Sequence, residues 1–216
     1  MAEMGTDAYR NVSGLPEAVV RAVETAVRHG FAHSCRPEQG RLLRTLAGGA
    51  GERIGETGTG CGVGLAWLAS GAPPGARLVS VERDPELARL SAALFENDER
   101  VKVVCGDWRE ITAHGPFGLL VLDGGGQGKT DEPADVEQLL EPGGTVVIDD
   151  FTPCGSWPPL HRGRPDRARM HWLDHPGLRA VELRPARDLS TVVGTRRLPA
   201  DHPRPTPGPG RRAASR

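Results

Sequence analysis

Five short apolar runs set the frame of this chain: ERIGET (52–57), RLVSVE (77–82), VKVVC (101–105), FGLLVLD (117–123) and GTVVID (144–149). Stretches with helical character lie between them at 62–70, 85–95 and 133–140. Short apolar strands alternating with helices predict a parallel sheet buried on both faces, because each crossover lays a helix on the sheet. After Asp150 the rhythm changes. LRAVEL and STVVGTRR stand close together and predict a terminal antiparallel hairpin added to the sheet edge. Ahead of the first strand, Val19, Val23, Ala26 and Val27 recur at helical spacing and predict a helix from about Pro16 to His29. A second helix is expected to begin at Pro37, with Leu42, Leu43 and Leu46 on its buried side. The expected division is a flexible N-terminus (1–13), a single α/β domain (14–198) and a disordered Pro/Arg-rich tail (199–216), which alternates proline with polar residues and offers nothing to bury.

The first strand runs into GETGTGCGVG, residues 55–64, five of them glycine. Such a loop brings backbone close to a ligand, since glycine alone adopts the needed dihedrals with no side chain in the way. Its ligand belongs outside the carboxyl ends of the strands. The glycine spacing excludes two common ligands. In a G-x-G-x-x-G reading the third glycine would fall on Val63 or Leu65, and a phosphate-cradling loop needs Gly-Lys-Ser/Thr, whereas no lysine precedes Lys102. What stands there is Glu56 followed by glycines at 58, 60 and 62.

Bulk properties narrow the field further. With 27 basic and 28 acidic residues the 216-residue chain has a net charge of −1, so no basic field points to nucleic acid or an anionic membrane. No apolar run approaches the roughly 20 residues needed to cross a bilayer. The polar start lacks the apolar centre of a signal peptide, and a cytoplasmic protein is expected. Cys35, Cys61, Cys105 and Cys154 show no paired metal-ligand spacing and read as small buried residues in a reducing compartment.

The Glu56-x-Gly58-x-Gly60-x-Gly62 pattern resembles the first motif of class I S-adenosylmethionine-dependent methyltransferases. That resemblance implies a Rossmann-like, doubly wound, mostly parallel sheet with the terminal hairpin and an N-terminal helical segment. The cofactor has no phosphates, which suits a loop without lysine. An acid at Glu56 would meet its cationic amino-acid end directly or through water. Glu82, ending the second strand, would accept both ribose hydroxyls. Asp107 in CGDWREI, after the third strand, would meet the adenine, with Trp108 packed near the ring.

Residues 33–48, HSCRPEQGRLLRTLAG, are similar to the segment before the first strand in the small-molecule O-methyltransferases related to the catechol and caffeoyl-CoA enzymes. Ser34, with Glu38 beside it, would form a wall of the cofactor site; equally, Ser34 and Cys35 would only cap the helix beginning at Pro37. In those relatives a divalent metal is held by an Asp ending the fourth strand and an Asp-Asn pair ending the fifth. Here the corresponding residues are Asp123 and Asp149-Asp150. Mg²⁺ or another divalent cation held there would orient two acceptor oxygens and lower a hydroxyl's pKa. The asparagine is replaced by Asp150, and the lysine that serves as base falls near Gly126. Lys129, three residues on, is then the candidate to replace it, and Asp123 could also act without metal by positioning substrate or cofactor. The alternative for all three acids is that Asp123 and Asp149 end strands and Asp150 caps a turn before Pro153.

The acceptor surface is expected after the fifth strand, where Trp157, His161 and Trp172 are lid candidates and His161 and His171 candidate bases; Trp172, on a helix, reads better as packing. The expectation is therefore methyl transfer to an oxygen of a small-molecule acceptor, with no nucleic acid and no membrane as partner. The oligomeric state is left open, a homodimer included. Two alternatives stand beside it: a metal-independent methyltransferase acting on nitrogen or carbon, and a cofactor-binding regulatory protein that has lost catalysis.

Overall fold

The computed structural model describes residues 5–123 and 132–198. Helices α1 (Glu17–Arg28) and α2 (Pro37–Ala47) precede a run of β/α units: β1 (Arg53–Thr57), α3 (Val63–Gly71), β2 (Arg77–Glu82), α4 (Pro85–Leu94) and β3 (Val101–Cys105). A 3-10 helix (Trp108–His114), β4 (Phe117–Leu122), α5 (Val136–Leu139) and β5 (Leu140–Phe151) follow. The chain continues through a small hairpin, β6 (Leu160–His161) and β7 (Arg164–Pro165), then α6 (Arg167–Leu173), β8 (Leu178–Ala186) and β9 (Leu189–Arg196).

The main sheet has the order β3-β2-β1-β4-β5-β9-β8. Its first five strands are parallel, and β9 and β8 add antiparallel at one edge. The β/α alternation thus gives the expected doubly wound sheet with its terminal hairpin. Strand order reverses between β1 and β4, which is where such a sheet opens a crevice for a ligand.

Side chains of β4 show why the strands read as continuous apolar runs. Leu119 and Val121 join a core with Val19, Leu43, Trp67 and Leu68, whereas Leu120 and Leu122 join a second core with Ile111, Leu139, Ile148 and Trp172. Both faces are buried, so nothing in the strand is free to be polar. A Cβ on Gly55 of β1 would lie 2.9 Å from the Phe117 ring and 3.0 Å from Leu120 Cδ1, so Phe117 fills the space that a larger side chain would take.

Three local expectations differ from the structure. Helix α1 buries Val19, Ala22 and Ala26, while Val27 is 65% exposed on the outer face. The helix expected over 133–140 is confined to Val136–Leu139, capped by Asp135, and β5 already begins at Leu140. Pro142 accounts for that, because a proline biases the preceding residue toward extended backbone. Residues 5–13, expected to be flexible, instead carry a 3-10 turn at Asp7–Tyr9, with Thr6 and Tyr9 buried against the domain. Tyr9 belongs to the first core, and that burial is what fixes this segment. The tail 199–216 lies outside the described residues.

Candidate functional site

The turn from β1 into α3 holds three glycines in left-handed conformation, Gly58 (φ 83°), Gly60 (φ 54°) and Gly62 (φ 84°), alternating with Thr59 and Cys61. Only glycine takes that conformation repeatedly without strain. The loop is then pinned from both sides. Gly58 N–H donates to the Val81 carbonyl at 2.9 Å, and Gly60 N–H donates to Glu82 Oε2 at 2.8 Å. The other oxygen of Glu82 accepts from Asp84 N–H at 2.9 Å. Glu82 is only 9% exposed, yet each of its oxygens keeps acceptor capacity beyond these single bonds.

Above this loop opens a cavity of about 660 Å³, lined among others by Phe31, Ser34, Glu56, Gly60, Glu82 and Asp123. Glu56 is 2% exposed at the floor. Its Oε2 accepts from Ser80 Oγ at 2.6 Å, and Ser80 Oγ lies 2.5 Å from Thr59 Oγ1. Burial pushes the Glu56 carboxyl up to about 8, with Asp123 and Glu82 adding to the rise and the Ser80 hydrogen bond opposing it. Glu56 therefore holds its proton more readily than an exposed carboxyl does.

Asp123 follows β4, its N–H donating to the Thr57 carbonyl at 3.1 Å and its carbonyl accepting from Thr57 Oγ1 at 3.3 Å. Asp149, in β5, is 3% exposed. Burial holds the Cys35 thiol well above its ordinary range, and the negative fields of Asp149, Asp123 and Glu56 push it further. Three acids from β1, β5 and the end of β4 thus face one thiol in the cavity wall. Asp150 lies in β5, but its side chain is outside the described residues, as is the whole of Lys129. Among the described residues no group of three His, Cys, Asp or Glu side chains is arranged to hold a metal ion.

Other sequence candidates sit elsewhere. Gly62 heads α3 and packs toward α4, where a Cβ would lie 3.3 Å from Leu94 Cδ2. Asp107 caps the 3-10 helix, accepting from Arg109 N–H at 3.1 Å and Arg109 Nη1 at 2.8 Å, and those bonds hold its carboxyl below the usual range. Trp108 packs into the second core beneath the Arg109 guanidinium, 5.2 Å from its ring. None of these three is among the cavity-lining residues. Glu38 heads α2 and ion-pairs with Arg36 at 3.6 Å. Trp172 is wholly buried in the second core, whereas Trp157 is 72% exposed. His161 lines a separate groove with Arg162, Arg164 and Arg167. His171 is exposed on α6, and partial burial and His175 lower its pKa.

The cavity also has walls that sequence reasoning missed: Phe31 and His33 before α2, Cys61 in the loop, and Arg83, Asp84 and Leu87 at the start of α4. For Asp84 a signal was present, since Asp84-Pro85 has the form of an N-cap followed by a first-turn proline. Phe31 carried none.

Residues 56–151 match the family model described as "Methyltransferase domain". A Mycobacterium avium protein assigned by name to the O-methyltransferases is 30% identical over 150 residues, which is 65% of this chain and 67% of that one. The chain belongs to the class I S-adenosylmethionine-dependent O-methyltransferase family. A catechol O-methyltransferase of Mycobacterium tuberculosis is 33% identical over 120 residues, 52% of this chain and 54% of that one. The fold matches that of an O-methyltransferase from Bacillus cereus solved in complex with SAH, with a TM-score of 0.68 and 20% identity over 89% of this chain and 96% of that one. The chain spans about half to two thirds of the length of the first curated relatives it matches. Among the described residues no helix is long and apolar enough to cross a membrane.

Proposed function

We propose that the protein transfers a methyl group from S-adenosylmethionine to an oxygen of a small-molecule acceptor. The observation that carries this is the make-up of the cavity: a left-handed glycine loop with Glu56, Glu82 and Asp123 around it and no lysine among the described lining residues. Acids grouped in this way disfavour phosphates and favour a cationic ligand with hydroxyl groups. The residues present fit the cofactor on that ground. Glu82, already fixed by Gly60 and Asp84, has lone pairs left for a ribose diol, and Glu56 stands ready to ionise beside a cationic amino-acid end. When bound, the cofactor supplies an electrophilic methyl on a positively charged sulfur. The glycine loop lets backbone approach closely, and Phe31, whose ring would lie 2.8 Å from a Cβ on Gly60, closes that side against water. Asp123 is the group proposed to take the proton that the acceptor hydroxyl gives up.

Asp123 and Asp149 also support a divalent cation near the acceptor, as the family resemblance implies. Two described carboxylates do not by themselves make a metal cage. The test is transfer of labelled methyl from S-adenosylmethionine to a panel of catechols and simple phenols, with Mg²⁺ and with EDTA. Label on an acceptor oxygen is the expected result. Label only on nitrogen or carbon would replace this reading with the metal-independent alternative. Cofactor binding with no transfer to any acceptor would favour a regulatory protein. Loss of activity in EDTA, restored by Mg²⁺, would add the cation to the site.

A further inference from the structure

The segment between β5 and β8 carries a second groove, which shares no lining residue with the cofactor cavity. Its volume is about 840 Å³, and His161, Arg162, Arg164, Pro165, Asp166 and Arg167 line it. Three arginines and a histidine therefore stand against one aspartate. That aspartate is already engaged from within the fold. Asp166 Oδ1 accepts from Arg169 N–H at 3.1 Å and Oδ2 from Arg169 Nε at 3.2 Å, and Arg169 is buried outside the groove. Arg162, Arg164 and Arg167 are exposed, and among the described residues no ion pair joins any of them to an acid. Like charges held together without a counter-charge repel one another, a cost that an anion between them removes.

The backbone points the same way. His161 pairs with Arg164, so Arg162 and Gly163 form a two-residue turn, with φ of 49° and 74°. Both positions of such a turn need left-handed backbone, which asparagine and glycine take at least cost. Arg162 is the only described non-glycine residue with a positive φ. The hairpin thus carries a guanidinium where its backbone disfavours one, a pattern that belongs to binding sites more than to plain turns. Its mounting is firm. Leu160 N–H donates to Cys154 Sγ at 3.3 Å, and Asp166 N–H donates to the Pro159 carbonyl at 2.8 Å. Arg169 Nη2 ties α6 to the Thr152 carbonyl at 2.7 Å, just past the carboxyl end of β5. The glycine loop leaves β1 at that same end of the parallel strands.

We propose that this groove is an oxyanion subsite, taking a carboxylate or phosphate group on the forked donors of Arg162, Arg164 and Arg167. The favoured source of that group is the methyl acceptor, which makes the acceptor an anionic small molecule. Opposite charge then sorts the two substrates: the acidic cavity takes the cationic cofactor and the basic groove the acceptor's anion. The assignment to the acceptor rests on the methyl-transfer reading above, whereas the subsite itself does not.

The test titrates inorganic pyrophosphate, without metal, into the full chain and into Arg162→Asn/Arg164→Gln. Asparagine suits the turn, so this variant keeps the hairpin. Arg28→Gln/Arg89→Gln removes the same charge from exposed positions on α1 and α4 and controls for general attraction. Pyrophosphate is expected to bind the parent and the control within about twofold of each other. The groove variant should bind it about tenfold or more weakly, the scale of a lost hydrogen bond to a charged group. No binding by the parent, equal affinity of parent and groove variant, or equal losses in both variants would each overturn the subsite. Its source is read by methyl transfer to catechol and to protocatechuate, which is catechol with a carboxylate. A preference for protocatechuate of about tenfold in kcat/KM, lost in the groove variant while catechol turnover holds, assigns the subsite to the acceptor. Pyrophosphate binding without that preference assigns it to free phosphate and overturns the anionic acceptor. S-adenosylhomocysteine should bind all three chains within about twofold. Its failure to bind the parent would sink the cofactor reading and leave the pyrophosphate result standing.

Discussion

Glu56 is the residue whose chemistry is most exposed to test. Its carboxyl sits at about 8, raised first of all by burial, so a proton must leave when a cation settles beside it. Below that value each unit of pH should then change affinity by up to about tenfold, rising with pH and levelling near 8. The expected outcome is that S-adenosylhomocysteine binds about tenfold more tightly at pH 7.5 than at 6.5, with one proton released per ligand. Glu56→Gln should bind weakly with a flat profile. Titration calorimetry in buffers of different ionisation heat reads both quantities, and a flat profile in the parent would refute the role given to Glu56. The sign for stability is opposite. A folded-state value above the ordinary one adds stability that is present below about 4.5 and lost as pH rises toward 8. Such residues were legible because the loop demands them: Glu56, Gly58, Gly60 and Glu82 stand at strand ends in an order set by backbone geometry. Thr6 and Tyr9 were not, because their partners lie 25 to 58 residues away with no local pattern linking them. Trp108 packs in the second core, a place its aromatic character suits as well as it suits a neighbour of the adenine.

At the scale of elements, β2 and β3 match their apolar runs residue for residue, and they do so although β3 lies at the sheet edge, only partly buried, with Lys102 inside it. The segment after β5 was far less readable, being rich in Pro, Arg, His and Trp without periodicity. Its anchor is Arg169 of α6, an arginine with no exposed surface. Nε and Nη2 donate to Asp166 Oδ2 at 3.2 and 3.1 Å, Nη1 to Glu182 Oε1 at 3.1 Å, and Nη2 also to the Thr152 carbonyl at 2.7 Å. The guanidinium also lies 5.0 Å from the Phe151 ring. One side chain therefore ties α6 to the end of β5 and to β8. Arg169→Met would strand two acids with little water and should cost about 3–5 kcal/mol in urea unfolding. A loss below about 1 kcal/mol would show that α6 is held by its apolar contacts alone. Cofactor affinity should hardly move, as Arg169 is outside the cavity lining.

For the molecule as a whole, the order reversal between β1 and β4 fixes where the crevice opens, and the acids at the strand ends decide what enters it. The segment after β5, proposed as the acceptor side, was the least legible part because it is irregular, and Lys129 lies outside the described residues. The central claim is that Glu82 grips the ribose of an adenosyl cofactor. The most direct measurement is calorimetric titration of S-adenosylhomocysteine into the parent and into Glu82→Ala, with unfolding of both recorded in parallel. The account predicts tight binding by the parent and a loss of about a hundredfold or more in the variant, as expected for two hydrogen bonds to a carboxylate, while the variant remains folded. Undiminished binding by a folded Glu82→Ala, or no binding by the parent, would contradict it.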